Sequence, residues 1–323
     1  MNASSPSLPA PAGRPFRSDG LRLSSRFFTC LTASGVVIIL GLLAIILANI
    51  ALSGAQGLSL RFIISGADQD MFDVNKAGVL PMIVGTAIRV ILMTIFVVPI
   101  GVITAIYLNE YANPVAISTR VIRSAVSNLA GVPSIVFGLF GLGFFINYAG
   151  GSLDDLFLPK GSEPVWGKPG ILWASLTLAV MTLPVVVVAT EEALKAIAPG
   201  LREASLALGA TKLETVRKIV LPQALPGILT GGILAVSRAA GEVAPILFTG
   251  AAYYMAHYPK SLTDQFMDLG YHVFILSTQS PNIDQTRPIL YATVLVLLLL
   301  TFTLNFVAIL FRARIRKRMR SAH

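Results

Sequence analysis

Two residues of opposite charge, Arg238 and Glu242, stand inside a long apolar stretch of this 323-residue chain. An ionised arginine at the centre of a membrane helix costs about 2.5–3.5 kcal/mol on insertion scales, so it normally faces a partner or a water-filled path. Glu242 follows four residues later and is expected on the same helix face. The planar guanidinium matches two oxygens of a phosphate or carboxylate group at once. The pair is therefore either a mutual ion pair or a site that contacts an oxyanion in transit.

The two interpretations assign different work to the carboxylate. In an ion pair, Glu242 only neutralises Arg238. In a transit site, Glu242 orients the guanidinium and competes for it, so the affinity stays modest and the bound anion can leave.

A second candidate site lies in the polar segment 191–222, just before this stretch. Pro199 suits the first turn of a helix, and Gly209 suits a helix end because glycine readily adopts positive φ. Thr211 and Glu214 have the spacing of a capping box that starts a second helix, and Pro222 is expected to end it. The segment is thus predicted to be a helix–glycine–helix element.

Apolar residues recur with helical periodicity in both of these predicted helices. They are Leu201, Ala204, Ser205 and Leu208 in the first helix and Leu213, Val216 and Val220 in the second. Two interpretations follow: the element packs beneath its own bundle, or it is a rigid element that docks into a groove of a soluble partner.

The composition indicates a membrane protein that must position both candidate sites. Hydrophobic residues make up 54% of the chain and charged residues 13%, against about 25% charged in soluble domains. Several apolar runs exceed the ~18 residues that indicate a transmembrane helix. Six spans are predicted, which makes the chain an all-α polytopic membrane protein. They lie near residues 27–52, 79–108, 124–148, 170–190, 223–249 and 288–311.

Composition also limits the chemistry that the chain carries. One cysteine, Cys30, excludes an intramolecular disulfide, and the three histidines have no ligand spacing. We therefore expect no metal site, no cofactor and no enzymatic activity.

Charge distribution predicts the orientation in the membrane. Of the 25 lysines and arginines, seventeen fall in the tails and loops on one side of the predicted spans, and six fall in the loops on the other. Because positive residues accumulate on the cytoplasmic side, both termini are predicted to be cytoplasmic. The chain divides into a disordered basic tail (1–26), a membrane domain (27–312) and a second basic tail (313–323). The C-terminal tail is interpreted as an orientation signal and a contact with anionic membrane lipid rather than as a nucleic-acid-binding arm.

The segment 191–222 also carries a motif that resembles a known family. Its residues match the EAA loop of binding-protein-dependent ABC importer permeases, except that a serine stands where the family usually has a second alanine. They are Glu203, Ala204, Ser205, Gly209, Ile219, Leu221 and Pro222. In that family the loop contacts the ATPase subunit, so the resemblance implies that these seven residues couple the chain to an ATPase.

Two further segments narrow the resemblance. Residues 131–141 and 238–249 are similar to motifs of phosphate-specific permeases of the PstA family, and the run 244–248 favours that family over its PstC sister. The similarity covers roughly residues 76–312. It implies a six-helix MetI-like fold in the cell inner membrane, with Arg238 and Glu242 on the substrate path. It also implies four types of partner: a PstC-like second permease, two PstB-like ATPase subunits, a PstS-like phosphate-binding protein and membrane lipid.

Several alternatives remain open at this stage. The main rival to a phosphate permease is a permease for another oxyanion, such as sulfate or molybdate, and a secondary transporter that needs no ATPase fits less well. The long outer loop 250–287 contains an amphipathic stretch that either anchors at the membrane interface or docks an external partner. Arg89, in the outer part of the second span, is expected to reach the membrane interface with its long side chain.

Overall fold

The structure of the chain is a computed structural model that describes residues 19–66, 72–73, 76–255 and 257–320, with only the backbone of 19–24 and 318–320. Most of the predicted tail at 1–26 lies outside these residues. The chain divides into two compact units, Met1–Asn49 and Ile50–His323. The described part of the first unit is a single apolar helix, and the second unit contains both candidate sites.

The described residues form thirteen α-helices. They are α1 (Asp19–Gly57), α2 (Leu60–Ile64), α3 (Leu80–Ile106), α4 (Ile117–Leu129), α5 (Ser134–Phe140), α6 (Gly151–Phe157), α7 (Ile171–Lys195), α8 (Pro199–Ala207), α9 (Lys212–Thr215), α10 (Leu221–Ala240), α11 (Ala244–Thr249), α12 (Leu269–Thr278) and α13 (Ile283–Arg320). Three π-helical segments extend or join them: Tyr107–Tyr111, Gly141–Gly150 and Val216–Val220. One isolated β-bridge joins Ala251 and Phe266.

Six helical stretches are long and apolar enough to cross a membrane. They are Ser25–Gly57, Leu80–Tyr111, Ser134–Phe157, Ile171–Lys195, Lys212–Ala240 and Ile283–Lys317. The predicted all-α class and the number of spans are therefore confirmed for the described part of the chain.

Two predicted spans have different bounds in the structure. The span predicted at 124–148 begins only at Ser134, because α4 is a separate amphipathic helix and Pro133 precedes α5 as its N-cap. Proline restricts the residue before it to extended conformations, which ends a helix there. The span predicted at 223–249 is interrupted, since α10 ends at Ala240 and α11 starts at Ala244. We call residues 241–243 the helix break.

Pro222 does not end a helix, contrary to the prediction. The helical stretch runs from Lys212 through the π-helical segment to Ala240, and Pro222 lies in the first turn of α10. Proline is tolerated there because a first-turn N–H needs no partner within its own helix.

Helix α7 forms the centre of the second unit, with α3 and α10 packed against it. A Cβ atom built on Gly227 or Gly231 of α10 would collide with the Cβ of Ala193 or Ala189 of α7, respectively. These glycines therefore let two helix backbones approach closely, which matters because lipid supplies no hydrophobic drive for helix association.

This close approach gives a matched pair of predictions on adjacent glycines. A Cβ at Gly231 would lie 2.8 Å from the Cβ of Ala189, whereas one at Gly232 would meet only a methyl of Val98 at 3.4 Å. The free energy of unfolding of Gly231→Ala should therefore be lower than that of Gly232→Ala by about 1–3 kcal/mol, the usual cost of overpacking. Gly231→Ala should accordingly unfold at a lower temperature. Thermal unfolding in detergent measures both variants, and helix propensity cancels between them. Equal stabilities would show that α7 and α10 do not pack this closely.

Candidate functional site

The helix break begins three residues after Arg238 and leaves the last backbone carbonyls of α10 without partners in that helix. The last carbonyls of any helix lack partners within that helix. At membrane depth each unsatisfied group costs several kcal/mol, because no water is available to bond it. The end of α10 therefore requires hydrogen-bond donors from elsewhere in the chain.

Arg89 on α3 supplies these donors. Its Nη1 donates to the Ala239 carbonyl at 2.9 Å, and its Nη2 donates to the Ala240 carbonyl at 3.4 Å. The guanidinium is fully buried and is neutralised by Asp268, whose Oδ2 lies 3.0 Å from Nε and 2.8 Å from Nη2. We call this arrangement the Arg89 clasp.

The carboxylate of Asp268 is held as firmly as the guanidinium. Its Oδ1 accepts from the backbone N–H groups of Gly270 at 2.9 Å and Tyr271 at 3.2 Å, so Asp268 caps the start of α12. The Thr86 hydroxyl donates to its Oδ2 at 2.9 Å and accepts from the Leu269 N–H at 3.0 Å. Every charged oxygen in this buried cluster therefore has partners.

The prediction that Arg89 extends to the membrane interface is wrong. A free arginine at that depth would snorkel, but Asp268 provides a charge partner inside the protein. The local sequence offered one signal for this role: Asp268 precedes the apolar helix Leu269–Thr278, where an acidic residue is a favoured N-cap.

The second arginine, Arg238, has very different surroundings. Its Nε lies 3.7 Å from Glu242 Oε1, which is longer than the 2.7–2.9 Å of a charge-assisted hydrogen bond. The Arg238 side chain is 43% exposed and the Glu242 side chain 23% exposed. The expected pairing is therefore present but loose, and it spans the end of α10 instead of lying on one continuous helix.

The face of α10 that carries Arg238 remains open. Leu234, one turn earlier, is about half exposed. The neighbouring Ser237 is also exposed, and its hydroxyl lies 2.9 Å from Asn305 Oδ1 of α13. Arg238 therefore lies beside the helix break on a surface that the described residues leave partly exposed.

The helix–glycine–helix element at residues 199–222, here called the coupling element, has the predicted local structure. Gly209 has a φ of +85°, and the Thr211 hydroxyl accepts from the Glu214 N–H at 3.2 Å. In return, Glu214 Oε2 accepts from the Thr211 N–H at 3.0 Å. The predicted glycine terminus and capping box are both confirmed.

The two halves of the coupling element differ in exposure. Leu201, Leu208 and Leu213 are exposed, whereas Val216 and Val220 are buried against the bundle. Ser205 points towards the second helix, with its hydroxyl 2.9 Å from that of Thr215. The predicted apolar face of the second helix is therefore divided: Val216 and Val220 are packed within the protein, whereas docking through the exposed residues stays a prediction.

The seven motif residues follow the same division. Glu203, Ala204 and Gly209 are exposed, and Ser205, Ile219, Leu221 and Pro222 are half-buried. The motif thus has an open end and an end packed on the protein.

Ion pairs fasten the coupling element to neighbouring helices. Arg202 on α8 lies 2.9 Å from Glu110 and also donates to the carbonyls of Leu194 and Ile197, at 2.8 and 2.9 Å. Nearby, Arg123 and Lys195 share the Glu191 carboxylate, at 2.8 and 3.1 Å.

Residues 97–321 match the family described as the binding-protein-dependent transport system inner membrane component. This chain belongs to that family. The prediction of a multi-pass importer permease of the plasma membrane, rather than an enzyme, is thereby confirmed.

Curated relatives of this permease are about a third identical to it over the residues that they match. The probable ABC transporter permease protein YqgI of Bacillus subtilis (strain 168) is 33% identical over 228 residues, which cover 71% of this chain and 69% of that protein. The phosphate transport system permease protein PstA 1 of Mycobacterium tuberculosis (strain ATCC 25618 / H37Rv) is 38% identical over 170 residues, which cover 53% of this chain and 49% of that protein. PstA of Xylella fastidiosa (strain Temecula1 / ATCC 700964) is 32% identical over 57% of this chain and 60% of its own. This permease thus spans about half the length of the PstA relatives.

Solved structures support the fold. A chain of a bacterial alginate ABC transporter superposes with a TM-score of 0.61 at 14% identity, covering 94% of this permease and 98% of that chain. A chain of the MetNI methionine ABC transporter superposes with a TM-score of 0.51 at 21% identity, covering 74% and 94%. The MetI-like fold predicted from the sequence is therefore confirmed.

The two arginine sites predict that loss of the partner carboxylate lowers the stability of the permease by very different amounts. Asp268→Asn leaves the Arg89 charge buried without its counter-ion, so it should destabilise the permease by about 3–5 kcal/mol. Glu242→Gln breaks only a loose, partly exposed pair and should cost less than about 1 kcal/mol. Thermal unfolding in detergent, together with the yield of inserted protein, measures both variants. A stable Asp268→Asn protein would contradict the role given to the Arg89 clasp.

Proposed function

We propose that this permease is one of two membrane subunits of an ATP-driven importer of inorganic phosphate, and that Arg238 and Glu242 lie on the path between the two subunits. The observation that carries the proposal is the contrast between two arginines. The guanidinium of Arg89 is fully buried and bonded to protein groups through all three nitrogens, while that of Arg238 is partly exposed and loosely paired beside a helix break. The names of the PstA relatives support phosphate as the substrate.

The loose pair suits transport better than tight binding. A guanidinium binds two oxygens of a phosphate through parallel donors. Glu242 lies close enough to pair with the guanidinium again once the anion leaves, because Nε of Arg238 is only 3.7 Å from Oε1 of Glu242. At that distance the two groups do not form a hydrogen bond that an arriving anion would have to break. Competition by the carboxylate would keep phosphate affinity modest, so that release is fast.

The coupling element would transmit the action of a cytoplasmic ATPase. Its open end, with Glu203, Ala204 and Gly209, would enter a groove of the ATPase, helped by the exposed Leu208. The packed end, with Ser205, Ile219, Leu221 and Pro222, would carry the movement into α10. This arrangement requires the predicted orientation, in which the element and both termini are cytoplasmic.

Within the proposed transporter, this permease would have four kinds of partner. A PstC-like permease would complete the path, two PstB-like ATPases would bind the coupling elements, and a PstS-like protein would deliver phosphate. Anionic lipid would contact the basic tail at 313–323, which follows the membrane domain 27–312 in the sequence. This tail is predicted to be cytoplasmic, as is the tail at 1–26.

Uptake by the purified complex tests this function. The permease is purified with its co-expressed partners and reconstituted into liposomes, and radiolabelled phosphate and sulfate are offered with and without ATP. We expect phosphate uptake that depends on ATP and on the binding protein. Preferential sulfate or molybdate uptake would identify another oxyanion permease, and uptake that needs no ATPase would identify a secondary transporter.

Variants of Arg238 test the substrate contact. Arg238→Ala removes the guanidinium and should reduce phosphate uptake to background. Arg238→Lys should also be strongly impaired, because a point charge cannot bind two oxygens in parallel. Uptake per assembled complex is the measurement, with Arg120→Ala as the control because Arg120 is an exposed arginine away from the helix break. Normal uptake by Arg238→Ala would refute the site.

Glycine variants test the coupling element. Gly209→Ala forces a side chain into a φ of +85°, at a cost of about 1–2 kcal/mol. Gly200→Ala makes the same chemical change where a Cβ meets open space. Gly209→Ala should therefore reduce the ATPase that co-purifies with the permease and its ATP-driven uptake, whereas Gly200→Ala should change neither. Equal behaviour of the two variants would count against docking through this element, as would full activity of Gly209→Pro.

A further inference from the structure

The span Leu80–Tyr111, which joins α3 to its π-helical end, carries charged contacts at both of its ends. Arg89 lies near one end and Glu110 near the other. Their separation of 21 positions corresponds to about 30 Å along the helix, at 1.5 Å per residue for its α-helical part. One helix therefore reaches from the coupling element to the helix break.

The contact at the coupling element is a partly buried pair. The Arg202 and Glu110 side chains are mostly covered, and Glu110 receives both Nε and Nη2 of Arg202, at 3.3 and 2.9 Å. Arg202 also bonds the carbonyls of Leu194 and Ile197 at the end of α7. A single guanidinium thus ties α8 to the ends of two spans. We call these contacts the Arg202 tie.

The contact at the helix break is the Arg89 clasp, through which α3 holds the last two carbonyls of α10. Between these two points, α3 and α10 both pack on α7. Helix α10 is itself continuous with the second half of the coupling element through Lys212–Ala240. The coupling element is therefore connected to the helix break along two helices, α3 and α10, which run in opposite directions.

We propose that Arg202 and Glu110 are positioning residues that bind α3 to the coupling element, so that a displacement there moves α3 and α10 together. With both ends tied, the two helices cannot slide past each other, and the displacement reaches the helix break beside Arg238. Without the Arg202 tie, α10 alone is driven while α3 holds the end of α10 in place through Arg89. This inference rests on the proposed function, because the displacement is supplied by an ATPase.

The structural consequence is measurable without any substrate. Leu234 is half-exposed on the same face as Arg238, one turn earlier. A Leu234→Cys reporter on a Cys30→Ser background is labelled in the reconstituted complex with a membrane-impermeant maleimide, with and without ATP and vanadate. ATP hydrolysis is measured in parallel. We expect the labelling rate of the reporter protein to change at least fivefold on trapping.

The Arg202→Ala variant of the reporter protein should hydrolyse ATP at more than half the normal rate, while its labelling rate changes less than twofold. Glu110→Gln leaves the two hydrogen bonds from Arg202 to the backbone carbonyls intact. Its change in labelling rate should lie between that of the reporter protein and that of Arg202→Ala. Arg120→Ala is the control, because Arg120 is exposed and lies outside the coupling element. It should behave like the reporter protein.

The possible outcomes separate this inference from the proposed function. A full labelling change in Arg202→Ala refutes the Arg202 tie and leaves the ATP-driven function standing. Loss of the assembled complex in both Arg202→Ala and Glu110→Gln also refutes it, since the pair is then needed only for folding. No response to ATP in the reporter protein refutes the ATP-driven function and, with it, the displacement that the tie would transmit.

Discussion

A buried guanidinium that cannot reach water must find its partners within the protein, and Arg89 does so by holding the end of a helix. Its charge is neutralised by Asp268, and its remaining donors bond the carbonyls that α10 leaves unsatisfied. The cost of a helix break at membrane depth is thereby offset by the same group that would otherwise be costly to bury. Arg238, Glu242 and the start of α11 all lie within five residues of the carbonyls that this clasp bonds.

The clasp also explains why two arginines in one membrane domain have separate roles. Arg89 and Asp268 are fully buried, and each guanidinium nitrogen already has a partner in the protein, so Arg89 is not placed to meet a passing anion. Arg238 is placed just before the break on an open face, and its only recorded ion pair among the described residues is a loose one. The buried residues of α10, such as Ala235 and Ala239, pack in the core cluster with α3 and α7 instead.

Local chemistry made the coupling element and the number of spans predictable from the sequence. A capping box, a glycine with positive φ and runs of apolar residues each act over a few neighbouring positions. The Arg89 clasp was not predictable in this way, because Asp268 lies 179 residues further along the chain. The helix break was hidden as well, since residues 238–249 read as one apolar span. Gly241 and Pro245 permit an interruption there but do not require one.

An experimental structure of the assembled transporter in a lipid bilayer, with phosphate bound, tests the division between the two arginines most directly. We predict that Arg238 faces a water-filled path shared with the second permease, with its guanidinium in contact with phosphate, while Arg89 stays bonded to Asp268. A structure in which Arg238 faces lipid, or in which Arg89 leaves Asp268 to contact the substrate, would contradict this division.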